Sequence, residues 1–77
     1  MQSKDVRDRI NNITMSEFDV EFIPNENLKI CGLDSLSLAE LIFNLETEFN
    51  ISFSDDELDP AKLITGNDLI LLVESKL

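Results

Sequence analysis

The chain has 77 residues, of which 43% are hydrophobic and 29% charged, a balance typical of one small globular domain rather than of a disordered segment. The formal net charge of −10 argues against nucleic acid as a partner, since the chain would repel a phosphate backbone, and favours proteins with basic patches. No signal-like or membrane-spanning apolar stretch is present, which predicts a cytoplasmic monomer without stable membrane insertion.

The first part of the sequence has apolar residues at helical spacing. Val6, Ile10 and Ile13 fall at i, i+4 and i+7, which predicts an amphipathic helix that ends near Met15. In residues 16–31, acidic and apolar side chains first alternate as in a strand, but no second strand is available for pairing. We therefore predict a long ordered loop, a feature that is often functional.

A second helix is predicted from about Ser35 to Phe49, with Asn50 ending it. On a helical wheel one broad arc faces the core and contains Leu38, Leu41, Ile42, Leu45 and Phe49. The opposite side carries Leu36, Ala39 and Phe43, interleaved with Glu40, Glu46 and Thr47. Either these are ordinary exposed apolar residues, or they anchor a partner on a face bordered by charges.

Two further helix starts follow. Ser54 with Glu57 has the pattern of a capping box for a short third helix, which Pro60 limits. Thr65 with Asp68 is a weaker box of the same kind before the last helix. The resulting fold class is all-α, a small four-helix bundle with a long first loop and a short third helix. The acidic cluster at 55–59 lacks the ligand pattern of a calcium loop, so no metal site is predicted.

Ser35 has three possible roles. The first is to cap the second helix, although Asp34 is the better cap because the N–H groups of Ser37 and Leu38 would then be its donors. Nucleophilic catalysis is disfavoured, because the chain has no histidine to act as base and no enzyme activity is expected. The third role is modification by another enzyme, since a helix N-terminus favours an attached anion.

Residues 32–49, "GLDSLSLAELIFNLETEF", resemble the phosphopantetheine attachment segment of acyl carrier proteins. The matching positions are Gly32, Asp34, Ser35, Leu36, Glu40, Leu41, Leu45, Glu46 and Phe49. The resemblance extends over most of residues 28–77 and implies a four-helix bundle of acyl-carrier type. It also implies a single carrier domain over residues 1–77.

By this resemblance, Ser35 accepts 4′-phosphopantetheine from coenzyme A through a phosphopantetheinyl transferase, and Asp34 and Leu36 place it for that enzyme. The thiol of the arm would hold acyl groups as thioesters. The resemblance also implies a partner-binding face on the second helix, consisting of Leu36, Ala39, Glu40, Phe43, Glu46 and Thr47. Its partners would be the transferase, an acyltransferase or acyl-activating enzyme, and ketosynthase-type enzymes with basic patches.

The expected function is that of a stand-alone acyl carrier protein for fatty-acid, polyketide or related synthesis. Ser37 and Thr47 stand where fatty-acid carriers commonly have Asp and Glu, which favours a specialised pathway. A carrier of amino-acyl or aryl groups, of peptidyl or D-alanyl type and loaded by an adenylating enzyme, is an alternative within the family. An unmodified acidic helical module for protein interaction is an alternative of another class.

Overall fold

Three α-helices and one π-helical turn make up the regular structure of the computed structural model, which describes residues 3–59 and 61–77. Helix α1 spans Ser3–Ile13, the π turn spans Thr14–Phe18, α2 spans Ser35–Phe49 and α3 spans Gly66–Ser75. Within those two ranges there is no strand, only an isolated antiparallel bridge between Asn27 and Thr65. The predicted all-α class is therefore confirmed. No helix in the described part of the chain is both long and apolar enough to cross a membrane.

The core is almost entirely aliphatic, with Phe22 and Phe49 as its buried aromatic residues. Helix α1 contributes Val6 and Ile10, which lie one helical turn apart and are fully buried where α1 packs against α2 and α3. The buried hydrophobic side chains of the other two helices are those of Leu41, Ile42, Leu45, Leu69, Ile70 and Val73, together with Phe49. The arc that the wheel assigned to the core is thus buried, except that Leu38 is half-buried.

The first helical segment runs further than predicted, because the π turn follows α1 directly. Thr14 is fully buried, and its hydroxyl donates a hydrogen bond to the carbonyl of Asn11 at 3.0 Å. The turn ends at Asp19, which adopts a left-handed conformation with φ of 55° and donates its N–H to the carbonyl of Thr14. A left-handed residue stops a helix, so the segment ends after Phe18 rather than near Met15.

Hydrogen bonds to both flanking parts of the fold hold the connection between the π turn and α2. The side-chain oxygen of Asn11 accepts from the N–H of Phe22 at 3.0 Å. The N–H of Leu28 donates to the carbonyl of Ile64 at 2.9 Å, and the carbonyl of Pro24 accepts from the N–H of Asn67 at 2.9 Å. These contacts fix the residues that lead into α2.

The predicted short third helix is wrong for the described residues, because residues 55–58 form turns. The Glu57 carboxylate accepts from the N–H of Ser54 at 2.9 Å, as in a capping box, but the backbone closes with the i to i+3 bond from Glu57 N–H to the Ser54 carbonyl. A helix starting here has few residues before Pro60, and the residue before a proline is disfavoured in the helical conformation. Pro60 itself lies outside the described residues.

Instead of starting a helix, Glu57 ties this turn to the end of α3. Its Oε1 lies 2.7 Å from the Nζ of Lys76. The hydrogen bond from Lys76, followed by that from the Ser54 N–H, lowers the pKa of Glu57 to about 2. Two contacts therefore hold residues 53–57. The N–H of Phe53 donates to the Glu46 carboxylate of α2, and Glu57 pairs with Lys76 at the end of α3.

Candidate functional site

Asp34 caps helix α2, as predicted. Its backbone is extended, with φ of −75° and ψ of −176°, and its Oδ1 accepts a hydrogen bond from the N–H of Ser37 at 2.9 Å. This backbone bond, followed by one from the Ser37 hydroxyl, holds the pKa of the Asp34 carboxyl below its ordinary value. Because Asp34 supplies the cap, Ser35 is the first residue of the helix and is not needed to cap it.

The Ser35 hydroxyl is available for chemistry. The side chain is exposed, and its oxygen has no hydrogen-bond partner among the residues that the structure describes. With no histidine in the chain to remove its proton, this hydroxyl is not an activated nucleophile in its own right. Its position suits it to react in the active site of another enzyme that brings its own base.

The backbone ahead of the cap makes a tight series of turns that ends at Gly32. Gly32 has φ of 108°, a conformation that residues with a side chain rarely adopt. Its N–H donates to the carbonyl of Lys29 at 3.1 Å, and the N–H of Leu33 donates to the carbonyl of Leu28 at 3.0 Å. These turns bury Leu33 and leave Asp34 and Ser35 at the surface.

Ser35 stands at the edge of a largely apolar groove of about 560 Å³. The groove lies between α2 on one side and residues 27–29, Leu58, Leu63 and Ile64 on the other. Its apolar lining includes Leu28, Leu33, Leu38, Ile42, Leu58 and Leu63. A flexible chain attached to the Ser35 oxygen would therefore have an apolar surface beside it that excludes water.

The outward side of α2 has the two large apolar residues that the wheel assigned to it. Leu36 is 71% exposed and Phe43 is 69% exposed. Ala39, Glu40 and Thr47 are also exposed, and the Thr47 hydroxyl donates to the carbonyl of Phe43 at 3.3 Å. These five residues share the solvent-facing side of the helix that carries Ser35.

Glu46 differs from the other residues predicted for this face. It is half-buried, and its Oε2 accepts a hydrogen bond from the N–H of Phe53 at 2.9 Å. The carboxylate thereby holds the chain that follows α2, which leaves it less available to a partner than Glu40. A helical wheel could not foresee this contact, because the wheel contains no residue outside the helix.

Two residues of the loop before α2, Lys29 and Ile30, were not among the predicted site residues. Ile30 is 74% exposed, the largest value among the exposed large hydrophobic residues that the structure describes. Lys29 lines the groove together with Asp34 and Ser35. An apolar residue in an ordered loop is expected to face the core, but Ile30, which lies in the turns from Asn27 to Gly32, is exposed.

Comparison with known proteins gives two findings. Residues 6–64 match a family model described as the phosphopantetheine attachment site. The fold is similar to the crystal structure of an acyl carrier protein from Thermotoga maritima, with a TM-score of 0.86 and 24% sequence identity. That match covers 99% of this chain and 91% of the Thermotoga chain. At this identity it shows the fold alone.

Proposed function

Because the chain belongs to the phosphopantetheine-attachment family, whose members are carriers and not enzymes, we propose that Ser35 is the residue that bears the cofactor. Family membership gives the cofactor as covalent 4′-phosphopantetheine. The observation that carries the assignment to Ser35 is its exposed hydroxyl, without a hydrogen-bond partner in the described chain, at the first position of a helix that Asp34 already caps.

The modification is a phosphoryl-group transfer from coenzyme A. The Ser35 oxygen forms a bond to the phosphorus that carries the pantetheine arm, the bond from that phosphorus to the adenosine bisphosphate breaks, and the serine proton passes to a base. That base belongs to the transferase, since this chain has no histidine. Once attached, the group supplies a terminal thiol that holds a cargo as a thioester.

Each residue next to Ser35 has a separate part in this proposal. Asp34 fixes the start of α2 and so holds the serine at a defined point. The exposed apolar side chains of Leu36 and Phe43 provide anchors for the transferase and for the enzymes that load and unload the cargo. We take residues 1–77 to be one carrier domain. Its net charge of −10 would attract enzymes with basic patches, such as ketosynthase-type enzymes.

The groove favours an acyl cargo, as in an acyl carrier protein for fatty-acid, polyketide or related synthesis. Its lining is largely aliphatic, and it begins at the attachment residue. An aliphatic chain placed there loses apolar contact with water, which is favourable by about 25 cal/mol for each Å² buried. A charged aminoacyl group gains nothing comparable, so the aminoacyl carrier is the second candidate, whereas an apolar aryl group would also gain from burial in the groove.

Intact-protein mass spectrometry tests the assignment of Ser35. The protein is incubated with coenzyme A and a broad-specificity phosphopantetheinyl transferase, next to the variants Ser35→Ala and Ser37→Ala. We expect one phosphopantetheine on the wild type and on Ser37→Ala, the control on the same helix, and none on Ser35→Ala. Modification of Ser35→Ala, or no modification of the wild type by its cognate transferase, would contradict the proposal.

The cargo preference has its own test. Holo-protein is loaded with either an eight-carbon acyl group or a glycyl group, and methyl NMR spectra of the two forms are compared with that of the unloaded holo-protein. We expect the aliphatic cargo to shift the methyl resonances of Ile42 and Leu63 and the glycyl cargo to leave them in place. Equal spectra for the two cargoes would show that the groove does not distinguish them and would contradict the argument for an acyl cargo.

A further inference from the structure

Basic residues are few in this chain, and most of those that the structure describes have a partner. The chain has 6 basic residues against 16 acidic ones. Arg7 pairs with Asp8 at 3.9 Å, and Lys76 pairs with Glu57 at 2.7 Å. The guanidinium of Arg9 lies over the ring of Phe49, 5.6 Å from its centroid.

Lys29 is the single basic residue that lines the groove at Ser35. Its side chain is exposed and makes no ion pair with any described residue, while its backbone N–H donates to the side-chain oxygen of Asn27 at 2.9 Å. The turn from Lys29 to Gly32 fixes the backbone of this lysine ahead of the attachment residue. Lys29 therefore presents at the groove a positive charge that makes no ion pair with a described residue.

The two carboxylates that line the same groove already have donors. Asp34 accepts from the N–H of Ser37 at 2.9 Å, and Glu46 accepts from the N–H of Phe53 at 2.9 Å. The first bond lies within the start of α2, and the second joins α2 to the segment that follows it. Neither carboxylate lies within ion-pair distance of the Lys29 ammonium, which is therefore left for an incoming anion.

We propose that the Lys29 ammonium binds the phosphate of the phosphopantetheine on Ser35 and so sets the direction in which the arm leaves the serine. This inference rests on the proposed function. The phosphodiester adds a negative charge beside Asp34 in a chain whose net charge is already −10, and lysine is a compact cation that binds phosphate well. Lys29 is a positioning residue, and it takes no part in bond formation.

Binding by Lys29 places the phosphate on the groove side of α2. The arm would then begin along the apolar groove rather than along the outward face with Leu36. A cargo carboxylate is the other anion that could meet Lys29, and holo-protein without cargo distinguishes the two, because it contains only the phosphate.

Phosphorus NMR of cargo-free holo-protein tests the proposal. The samples are wild type, Lys29→Gln, Lys29→Arg and Lys62→Gln, the last an equal charge change on an exposed lysine that lines a different cavity. We expect the phosphodiester resonance to move in Lys29→Gln, to return towards the wild-type position in Lys29→Arg, and to be unchanged in Lys62→Gln. High salt should abolish the difference between wild type and Lys29→Gln, because it screens an exposed pair.

A measurement without any variant completes the test. The side-chain ammonium resonance of Lys29 in the wild type should shift between the apo and holo forms, and that of Lys62 should not. Complete modification with an unchanged phosphorus resonance in Lys29→Gln and an unchanged Lys29 ammonium would overturn this inference alone. Absence of modification in all four proteins would instead overturn the assignment of Ser35.

Discussion

Helices α2 and α3 both begin with a hydroxyl residue and an aspartate, but the two helix starts use them differently. At α3, Thr65 is the cap, and its hydroxyl accepts from the N–H of Asp68 at 3.3 Å. The Asp68 carboxylate returns the bond by accepting from the N–H of Thr65 at 3.0 Å. At α2 the aspartate is the cap, and the hydroxyl comes one residue later with no partner in the described chain.

The two helix starts also differ in how far their first residues are buried. The first residue of α3 is the buried Gly66, and a Cβ built there would lie 2.7 Å from the Cα of Pro24. The first residue of α2 is the exposed Ser35. Where the hydroxyl residue is the cap, as at Thr65, the helix start is a buried structural junction. Where the aspartate is the cap, as at Asp34, the hydroxyl that follows is accessible to another enzyme.

The largest expected effect is that of Gly66→Ala. The added methyl group would meet the Pro24 backbone at 2.7 Å and the Phe22 ring at 2.9 Å, and backbone yields less readily than a flexible side chain. We expect the free energy of unfolding to fall by about 2 kcal/mol or more, measured by urea denaturation. Unchanged stability would show that the connection to α2 is not fixed against α3.

The hydroxyl of Thr65 gives the next effect. Thr65→Ala removes the acceptor for the Asp68 N–H and should lower the free energy of unfolding by about 1 kcal/mol. Thr65→Ser keeps the hydroxyl and is the control in the same urea series. Equal losses in the two variants would assign the effect to packing of the methyl group and not to the cap.

The carboxylates at the two starts should give a smaller, pH-dependent effect. Hydrogen bonds from the backbone N–H groups of Thr65 and Ile64 hold the pKa of Asp68 below its ordinary value of 3.8, and the bond from Ser37 does the same for Asp34. A lowered folded-state pKa contributes stability that is present above pH 3.8 and is lost as the pH falls through the folded-state pKa.

Thermal denaturation between pH 6 and about pH 2 measures this contribution. As the pH falls through this range, we expect the stability of the wild type to decrease more steeply than that of Asp68→Asn or Asp34→Asn, because the amide side chains do not titrate. Identical pH profiles for the wild type and both variants would show that neither carboxylate is preferentially ionised in the folded state.

The smallest expected effect on stability is that of Ser35→Ala. No described hydrogen bond of the side chain is lost and the position is exposed, so the free energy of unfolding should stay within about 0.5 kcal/mol of the wild-type value. The same variant should lose all modification. A marked loss of stability would identify Ser35 as a structural residue and remove the contrast with Thr65.

Local signals made both helix starts predictable. Asp34 and the left-handed Asn50, with φ of 54°, bound α2 where the sequence places them, and the box of Thr65 and Asp68 is complete. Each of these signals acts within four residues, so it can be read without knowledge of the fold. The same reasoning failed at Ser54, where the local box forms but too few residues follow it for a helix.

Features that depend on distant residues could not be predicted. The inward turn of Glu46 requires Phe53, and the groove at Ser35 requires residues 58–64 to lie across from α2. The π turn depends on where Asp19 becomes left-handed, a conformation that no pattern in residues 14–18 encodes. The position of Ser35 was thus predictable, whereas its surroundings had to come from the structure.

The hydrogen bonds between residues 24–28 and residues 64–67 also order events during synthesis of the chain. Leu28 is held by Ile64, and Pro24 by Asn67, so these contacts join residues about forty positions apart. These contacts cannot form before residues 64–67 have been synthesised, and closing a loop of this length also costs conformational entropy. A chain still emerging from the ribosome therefore lacks the side of the groove that lies opposite α2. A transferase that requires this side of the groove would recognise the domain only after α3 has been released.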